Sequence, residues 1–300
     1  MLATTNNKKP IIFSDIDGTL YTRTFHVMDE TLKDIEFAIK NGADFNLCTG
    51  NPFEERMQKL IQKVPSRYFI GSSGAQVIDL KTKETIYKKA IDFKIFQEIY
   101  ELSKKHNYLL IFWDEKDYYF STKETIWLTE IFDYHFTGEK TKKIRPKLYS
   151  GEKINPLKIE VYAGERKTYH ADLEKFREEL SNIKGIEITH TFVNLEILEE
   201  NVSKGDAIVW MSKNIYNKEE IQLNEYMTIG DSNNDLSMIE LTDFSYAMSG
   251  SSEAIIKTAK YHTSAPDQNG VGEAILDYLY RFKNVVKKYM FAEFEDKQNK

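Results

Sequence analysis

The 300-residue sequence predicts an α/β fold in which a doubly wound, mostly parallel sheet carries an inserted α+β segment. The first observation is that short apolar runs alternate with helix-periodic segments toward both ends of the chain, as in parallel sheets. The second is a change of pattern in the middle, where several strands follow one another between helices. The third is that three apolar runs stop in polar residues and glycine, as strands do at a ligand-binding sheet edge.

The first part of the chain alternates strands and helices. The predicted strands are residues 11–14, 44–48 and 68–70, with a hairpin at 75–80 and 85–89, and the predicted helices are 31–40 and 53–63. The first helix ends at Asn41-Gly42, a natural C-cap, and Pro52 suits the first turn of the second helix. This order predicts a parallel, doubly wound sheet.

From about residue 92 the pattern changes. The predicted helices are 93–106, 122–134 and 169–181, the predicted strands are 108–113, 118–121, 157–163, 186–189 and 192–197, and the basic stretch 140–153 is a predicted loop. Helices beside mostly antiparallel strands predict a separate α+β module. We expect residues 82–197 to form this inserted domain and residues 1–81 and 198–300 to form the core.

After residue 200 the alternation returns. The predicted elements are a helix at 203–213, a strand at 226–229, a helix at 236–240, a strand at 244–248, and helices at 253–258 and 272–282. Ser203 is a suitable N-cap for the first of these helices. The charged residues 283–300 are predicted to form a frayed helix or a tail.

Bulk composition narrows the class of protein. The chain has 41 basic and 47 acidic residues, so no global charge favours nucleic acid or an anionic membrane. Cys48 is the single cysteine, which excludes an internal disulfide and fits a reducing compartment. Residues 1–10 lack the apolar segment of a signal peptide, and no apolar run reaches the length of a membrane span. We therefore expect a cytoplasmic protein, of an oligomeric state that the sequence does not give.

Three predicted strands end in polar clusters. These clusters are Asp15, Asp17 and Thr19; Thr49, Gly50 and Asn51; and Asp231, Asn234 and Asp235. Because the carboxyl ends of parallel strands share one edge, we expect the clusters to converge. Asp15 and Asp231 could then share Mg²⁺, which favours one or two carboxylates together with water and phosphate oxygens. The ordinary alternatives are an Asp-Gly turn after the first strand and, for Lys204, a solvated surface lysine.

Four motifs resemble those of the haloacid dehalogenase (HAD) superfamily, in its phosphatase branch and among its Cof-type members. The matching segments are Asp15-Ile16-Asp17-Gly18-Thr19, Thr49-Gly50, Ser203-Lys204-Gly205 and Gly230-Asp231-Ser232-Asn233-Asn234-Asp235. They occur in the family's order, and the resemblance covers about residues 11–282. It implies a Rossmann-like, HAD-like core, and it implies that the inserted α+β domain is a C2-type cap that sets substrate specificity.

The resemblance also implies an activity and a role for each motif. The implied activity is Mg²⁺-dependent hydrolysis of a small phosphorylated metabolite, such as a sugar phosphate, through an aspartyl-phosphate. Asp15 is the implied nucleophile and Asp17 the implied general acid and base. The implied magnesium ligands are the Asp15 side chain, the Asp17 backbone carbonyl and the Asp231 side chain. Lys204 and Mg²⁺ would neutralise the transferring phosphoryl group.

The remaining implied roles concern the phosphate. Thr49 and Gly50 would bind its oxygens together with Asn234, while Asp235 would orient Lys204 or a metal-bound water. The chain departs from the family at Asn51, where relatives often have arginine. It departs again at residues 72–74, Ser-Ser-Gly, where many relatives have Asn-Gly. Both departures concern contacts to substrate rather than the catalytic set.

Several alternatives stay open at the level of sequence. A phosphomutase would use the same aspartyl-phosphate and pass the phosphoryl group to a second hydroxyl, and a non-catalytic regulatory protein could keep the scaffold. The basic residues of the 140–153 stretch fit a solvated loop better than a ligand site. The aromatic residues of the strands at 113 and 118–120 are predicted to be core rather than a platform for a ring-containing substrate.

Overall fold

The computed structural model describes residues 8–123, 146–163, 169–191, 194–217 and 222–287. In this part of the chain the strands are β1 (Ile11–Asp15), β2 (Asp44–Cys48), β3 (Tyr68–Gly71), β4 (Gln76–Asp79), β5 (Glu84–Lys88), β6 (Leu109–Trp113), β7 (Tyr118–Phe120), β8 (Lys147–Leu148), β9 (Lys158–Tyr162), β10 (Ile186–His190), β11 (Leu195–Glu199), β12 (Met227–Gly230), β13 (Phe244–Ala247) and β14 (Tyr261–His262). The α-helices are α1 (Asp29–Lys40), α2 (Glu55–Lys63), α3 (Phe93–Lys105), α4 (Tyr169–Leu180), α5 (Lys204–Asn214), α6 (Leu236–Ile239), α7 (Glu253–Thr258) and α8 (Gly270–Lys283).

The described strands form two sheets. The larger sheet has the order β14-β13-β12-β1-β2-β3-β4-β5, and it is parallel from β14 to β3. Strands β4 and β5 extend it as an antiparallel hairpin. Every residue of β1 is buried, because helices cover both faces of a parallel sheet and its central strands are apolar throughout. The predicted α/β class is confirmed.

The smaller sheet has the order β10-β11-β9-β6-β7-β8 and is antiparallel except between β7 and β8. Helices α3 and α4 pack on it through an apolar core that includes Phe96, Phe112 and Phe176. Trp113 and Phe120 are almost fully buried, so the prediction that these strand aromatics belong to the core is confirmed. No helix of the described ranges could span a membrane.

The boundaries of several elements differ from the predictions. Helix α2 begins at Glu55 rather than next to Pro52, because the Glu54 side chain accepts hydrogen bonds from the amides that open the helix. Strand β8 lies in the predicted loop 140–153, and the two-residue strand β14 was not predicted. Three predicted segments lie partly outside the described residues: 124–134 of the predicted helix 122–134, 140–145 of the basic stretch, and 288–300 of the tail. The predicted strand 192–197 begins later, at Leu195, and continues to Glu199.

The division into core and cap stays a prediction. The predicted insert spans residues 82–197, yet β5 pairs with β4 in the larger sheet. The hairpin therefore extends the core sheet beyond the predicted boundary at residue 81. At the other boundary, β11 pairs in the smaller sheet up to Glu199.

Candidate active site

The candidate site lies where three neighbouring strands of the larger sheet end. Strand β1 lies between β2 and β12, with Asp15 in register with Cys48, and Ser14 in register with Ile229. The polar residues that follow β1, β2 and β12 therefore emerge at one edge of the sheet. This is the convergence expected from the sequence.

Lys204 joins two of the motifs through a buried ion cluster. Its Nζ donates to Asp15 Oδ1 and to Asp235 Oδ1, each at 2.6 Å, and its side chain is fully buried. Burial alone would lower the pKa of Lys204, but the two carboxylates raise it well above its ordinary value. Lys204 is thus a permanent cation beside Asp15, and the alternative of a solvated surface lysine is wrong.

Gly18 allows the first and fourth motifs to approach each other. Its φ is +84°, and a Cβ at this position would lie 2.5 to 2.9 Å from the carboxylate atoms of Asp231. Thr19 Oγ1 donates to Asp231 Oδ1 at 3.2 Å from the same turn. Any larger residue at 18 would push the Asp231 carboxylate away from Asp15. Burial, and then the charge of Asp235, raises the pKa of Asp231 to about 7.

The acidic residues of the cluster fit a divalent cation. Oxygen atoms of Asp15, Asp231 and Asp235 lie within 4.8 Å of one another. Asp15 Oδ2 is buried and has no hydrogen-bond partner among the described residues, and burial, then Asp235, raises the pKa of Asp15 well above its ordinary value. Two buried carboxylates and the half-buried carboxylate of Asp231 face one lysine, and a further positive charge would allow all three to stay ionised. Carboxylate oxygen is a ligand that Mg²⁺ prefers.

Asp235 differs from the other two carboxylates because its second oxygen is already used. Asp235 Oδ2 accepts hydrogen bonds from the backbone amides of Asp231 and Ser232, both at 3.0 Å. These bonds fix the turn that presents Asp231, while Oδ1 holds Lys204. The geometry agrees with the predicted supporting role of Asp235, which stays a prediction.

A cavity of about 570 Å³ opens from this cluster and has the size of a small-metabolite site. The predicted site residues that line it are Asp15, Asp17, Thr49, Gly50 and Asn234. Asn51 and Arg56 also line it, as do Lys158, Glu160 and Glu196 of the smaller sheet. The structure thus brings the predicted site residues together, either around the cavity or, for Lys204, Asp231 and Asp235, in the cluster next to it.

Sequence reasoning missed the part of the cavity wall that the smaller sheet supplies. Lys158 Nζ lies 3.1 Å from Glu160 and 2.7 Å from Glu196, and it donates to the Gly50 carbonyl at 3.2 Å. Lys158 is almost fully buried, and its three contacts tie the smaller sheet to the loop after β2. The sequence held one signal for this wall, the charged pair Lys158 and Glu160. Residues at alternate positions of a strand lie on the same face, so one face of this otherwise apolar strand must be polar.

The departure at residues 72–74 has a structural explanation. Ser72 Oγ accepts a hydrogen bond from Trp113 Nε1 at 2.9 Å, and Ser73 Oγ donates to Glu196 at 3.2 Å. Both serines are buried with positive φ. They therefore connect the two sheets directly beside the cavity.

Asp17 is held by two side chains that the sequence reasoning did not assign to it. Arg56 Nη1 and Nη2 donate to Asp17 Oδ1 at 2.9 Å and Oδ2 at 3.1 Å, and Asn51 Nδ2 donates to Oδ2 at 2.7 Å. Asn51, which departs from the family pattern, thus contacts the predicted acid. Arg56 lies on the first turn of α2. Nothing in its distance along the sequence from Asn51 or Asp17 indicates that it contacts Asp17.

Glu54, the N-cap of α2, gives a pH-dependent prediction. Burial raises the pKa of Glu54 from 4.5 to about 7, although the hydrogen bonds from the Arg56 and Met57 amides act to lower it. Between these values the folded state binds more protons than the unfolded state, so rising pH destabilises the protein. We expect the stability of wild type relative to Glu54→Gln to fall by about 3 kcal/mol from pH 4.5 to pH 7, measured by urea unfolding. A constant difference across this range would contradict the prediction.

Comparisons with known proteins agree with this geometry. A family model described as haloacid dehalogenase-like hydrolase matches residues 12–275. The Bacillus subtilis protein named "Putative phosphatase YxeH" is 25% identical, covering 88% of this chain and 96% of its own length. The Bacillus subtilis 5-amino-6-(5-phospho-D-ribitylamino)uracil phosphatase YcsE is 24% identical, covering 90% and 95%. The solved HAD subclass IIB sugar phosphatase BT4131 shares the fold with a TM-score of 0.76 and 21% identity, covering 92% of this chain and 100% of its own.

Proposed function

The chain belongs to the haloacid dehalogenase-like hydrolases, and from this membership we propose a magnesium-dependent phosphomonoesterase that acts on a small phosphorylated metabolite. The observation that carries the proposal is the cluster of the buried Asp15 and Lys204 with the half-buried Asp231, next to the cavity. A carboxylate next to a fixed cation and a divalent-ion site suits transfer of a phosphoryl group. A non-catalytic role would not require this cluster to stay intact.

The reaction proceeds in two steps. In the first, a carboxylate oxygen of Asp15 attacks phosphorus, the bond from phosphorus to the ester oxygen breaks, and Asp17, which enters the step protonated, gives its proton to that oxygen. The alcohol leaves, and an aspartyl-phosphate remains. In the second, Asp17 takes a proton from water, the water oxygen attacks phosphorus, and the bond to Asp15 breaks. Inorganic phosphate leaves, and both carboxyl groups return to their initial states.

The surrounding residues bind the phosphoryl group during both steps. The Lys204 amine, next to Asp15, neutralises charge that develops on the phosphoryl oxygens. Thr49, Gly50 and Asn234, at the cavity wall, bind the same oxygens by hydrogen bonds. The side chains of Asp15 and Asp231 and the Asp17 carbonyl would hold Mg²⁺, which would supply positive charge toward the phosphoryl group when bound.

The cavity and the smaller sheet limit the substrate to a small polar molecule. In this proposal the smaller sheet and its helices act as the cap, and the larger sheet, which includes β5, forms the catalytic core. The wall formed by Lys158, Glu160 and Glu196 is charged and offers hydrogen bonds to hydroxyl groups, as on a sugar phosphate. We propose a cytoplasmic metabolite as the partner, with no nucleic acid and no membrane.

Metal dependence tests the proposal. We expect the purified protein to hydrolyse p-nitrophenyl phosphate with Mg²⁺ and to lose this activity when EDTA removes the metal. Asp231→Asn should raise the Mg²⁺ concentration for half-maximal activity about 10–100-fold, because it removes one of two carboxylate ligands. Asp243→Asn changes an exposed carboxylate away from the cluster and serves as the control.

Three outcomes would count against the proposal. The first is no turnover by folded protein that carries Mg²⁺. The second is an unchanged metal requirement in Asp231→Asn. The third is transfer of the phosphoryl group to a second hydroxyl of the substrate without release of inorganic phosphate, which would identify a phosphomutase.

A further inference from the structure

Asp17 has an unusually well-defined position for a half-exposed carboxylate. Its side chain is 38% exposed, whereas that of its partner Arg56 is only 10% exposed. The guanidinium contacts both carboxylate oxygens, and this paired geometry fixes orientation as well as distance. Asn51 adds a third hydrogen bond, to Oδ2. An exposed carboxylate without such partners would occupy several rotamers.

Arg56 is itself anchored from several sides. Its backbone amide donates to Glu54 Oε2 at 2.8 Å, so the capping interaction of α2 fixes its Cα. Its guanidinium carbon lies 5.8 Å from the centre of the Tyr21 ring. The Glu54 carboxylate, which is buried, lies 4.0 Å from Arg56 Nε. These contacts fix the position of the Arg56 guanidinium independently of its contact with Asp17.

Asn51 connects the same carboxylate to the phosphate-binding loop. Its Nδ2 donates to Thr49 Oγ1 at 3.2 Å as well as to Asp17, and its backbone amide donates to Thr49 Oγ1 at 3.1 Å. Asp17 is thus fixed relative to Thr49, which lines the phosphate end of the cavity. The position of the acid and the position of the phosphate are coupled by these contacts.

We propose that Arg56 is a positioning residue that holds the Asp17 carboxyl where it meets the leaving oxygen of the substrate. A general acid must lie within hydrogen-bond reach of the atom that it protonates, so its contribution to the rate depends on this placement. Arg56 acts through Asp17 and takes no direct part in the chemistry. The assignment rests on the proposed function, because it needs Asp17 to be the acid.

Leaving groups of different acidity separate positioning from a general structural role. An alkyl phosphate such as a hexose phosphate needs a proton on its leaving oxygen, whereas p-nitrophenolate leaves without one. We expect Arg56→Gln to lower kcat/KM about 100-fold for the alkyl phosphate and by no more than about threefold for p-nitrophenyl phosphate. Arg56→Lys, which keeps the charge and loses the paired contact, should show most of the same selective loss.

A double-mutant cycle tests whether Arg56 acts through Asp17. In an Asp17→Asn background, Arg56→Gln should change kcat/KM for the alkyl phosphate by less than about threefold, because the group that Arg56 positions is already gone. Lys63→Gln, which removes an exposed charge from the other end of α2, is the control and should match wild type. Thermal unfolding of each variant confirms that the folded protein is being assayed.

Two results would overturn the assignment. One is an equal loss of kcat/KM for both substrates in Arg56→Gln, which would indicate a structural role. The other is an undiminished effect of Arg56→Gln in the Asp17→Asn background. Absence of wild-type turnover of both substrates has a different meaning, since it would remove the proposed function and this assignment with it.

Discussion

Replacing Asp15 by Asn is expected to lower kcat by about 10⁴-fold or more while the protein stays folded. The amide that replaces the carboxylate is a poor nucleophile, so the aspartyl-phosphate does not form. The fold should tolerate the change, because the substitution conserves shape. It also removes a buried charge whose cost is visible in the raised pKa of Asp15.

Two measurements separate loss of chemistry from loss of structure in Asp15→Asn. Thermal unfolding without Mg²⁺ should give a midpoint no lower than that of wild type. Intact-mass analysis after rapid quenching should find a phosphorylated form in wild type and none in the variant. Wild-type turnover by the variant, or a phosphorylated form of it, would show that another residue is the nucleophile.

The edge of the sheet was predictable from sequence because it depends on local patterns. Apolar runs that stop in Asp15, Thr49 and Asp231 mark the ends of strands, and parallel order places those ends together. Lys204 was harder, since a lysine at a helix start is usually solvated. The family's motif order, rather than the chemistry of one lysine, placed it in the site.

The contacts across the two sheets were not predictable in the same way. Lys158 and Glu196 meet because β9 and β11 are neighbours in a sheet whose order is set by packing rather than by chain order. Arg56 reaches Asp17 because Glu54 starts α2 later than Pro52 suggests, which sets the direction of the first helical turn. Each of these contacts depends on tertiary packing that local propensity does not encode.

The family pattern was informative even where the chain departs from it. The resemblance led us to expect arginine at position 51, but Asn51 is found there, and Arg56 carries a guanidinium to the same part of the cavity. Both side chains contact Asp17. The departure at Asn51 therefore marked the part of the cavity next to Asp17, although the sequence could not show that Arg56 supplies the guanidinium there.

Lys204→Met is expected to destabilise the protein by about 3–5 kcal/mol and to lower kcat by about 10³-fold. The substitution keeps most of the side-chain volume, but it leaves the buried carboxylates of Asp15 and Asp235 without their cation. The kinetic loss follows from removal of the charge beside the transferring phosphoryl group. Urea unfolding and kcat, measured on fully folded protein, report the two effects separately. Lys213→Met, at an exposed position of α5, is the control.

A second substitution distinguishes the electrostatic explanation from a packing defect. Adding Asp235→Asn to Lys204→Met removes one of the unpaired buried charges and should recover part of the lost stability, since Asn can still accept a backbone amide hydrogen bond through Oδ1. Activity should not recover, because the cation beside Asp15 is still missing. If the double variant were less stable than Lys204→Met, unpaired charge would not be the cause of the loss. If activity returned with stability, Lys204 would be a structural residue rather than part of the phosphoryl-transfer site.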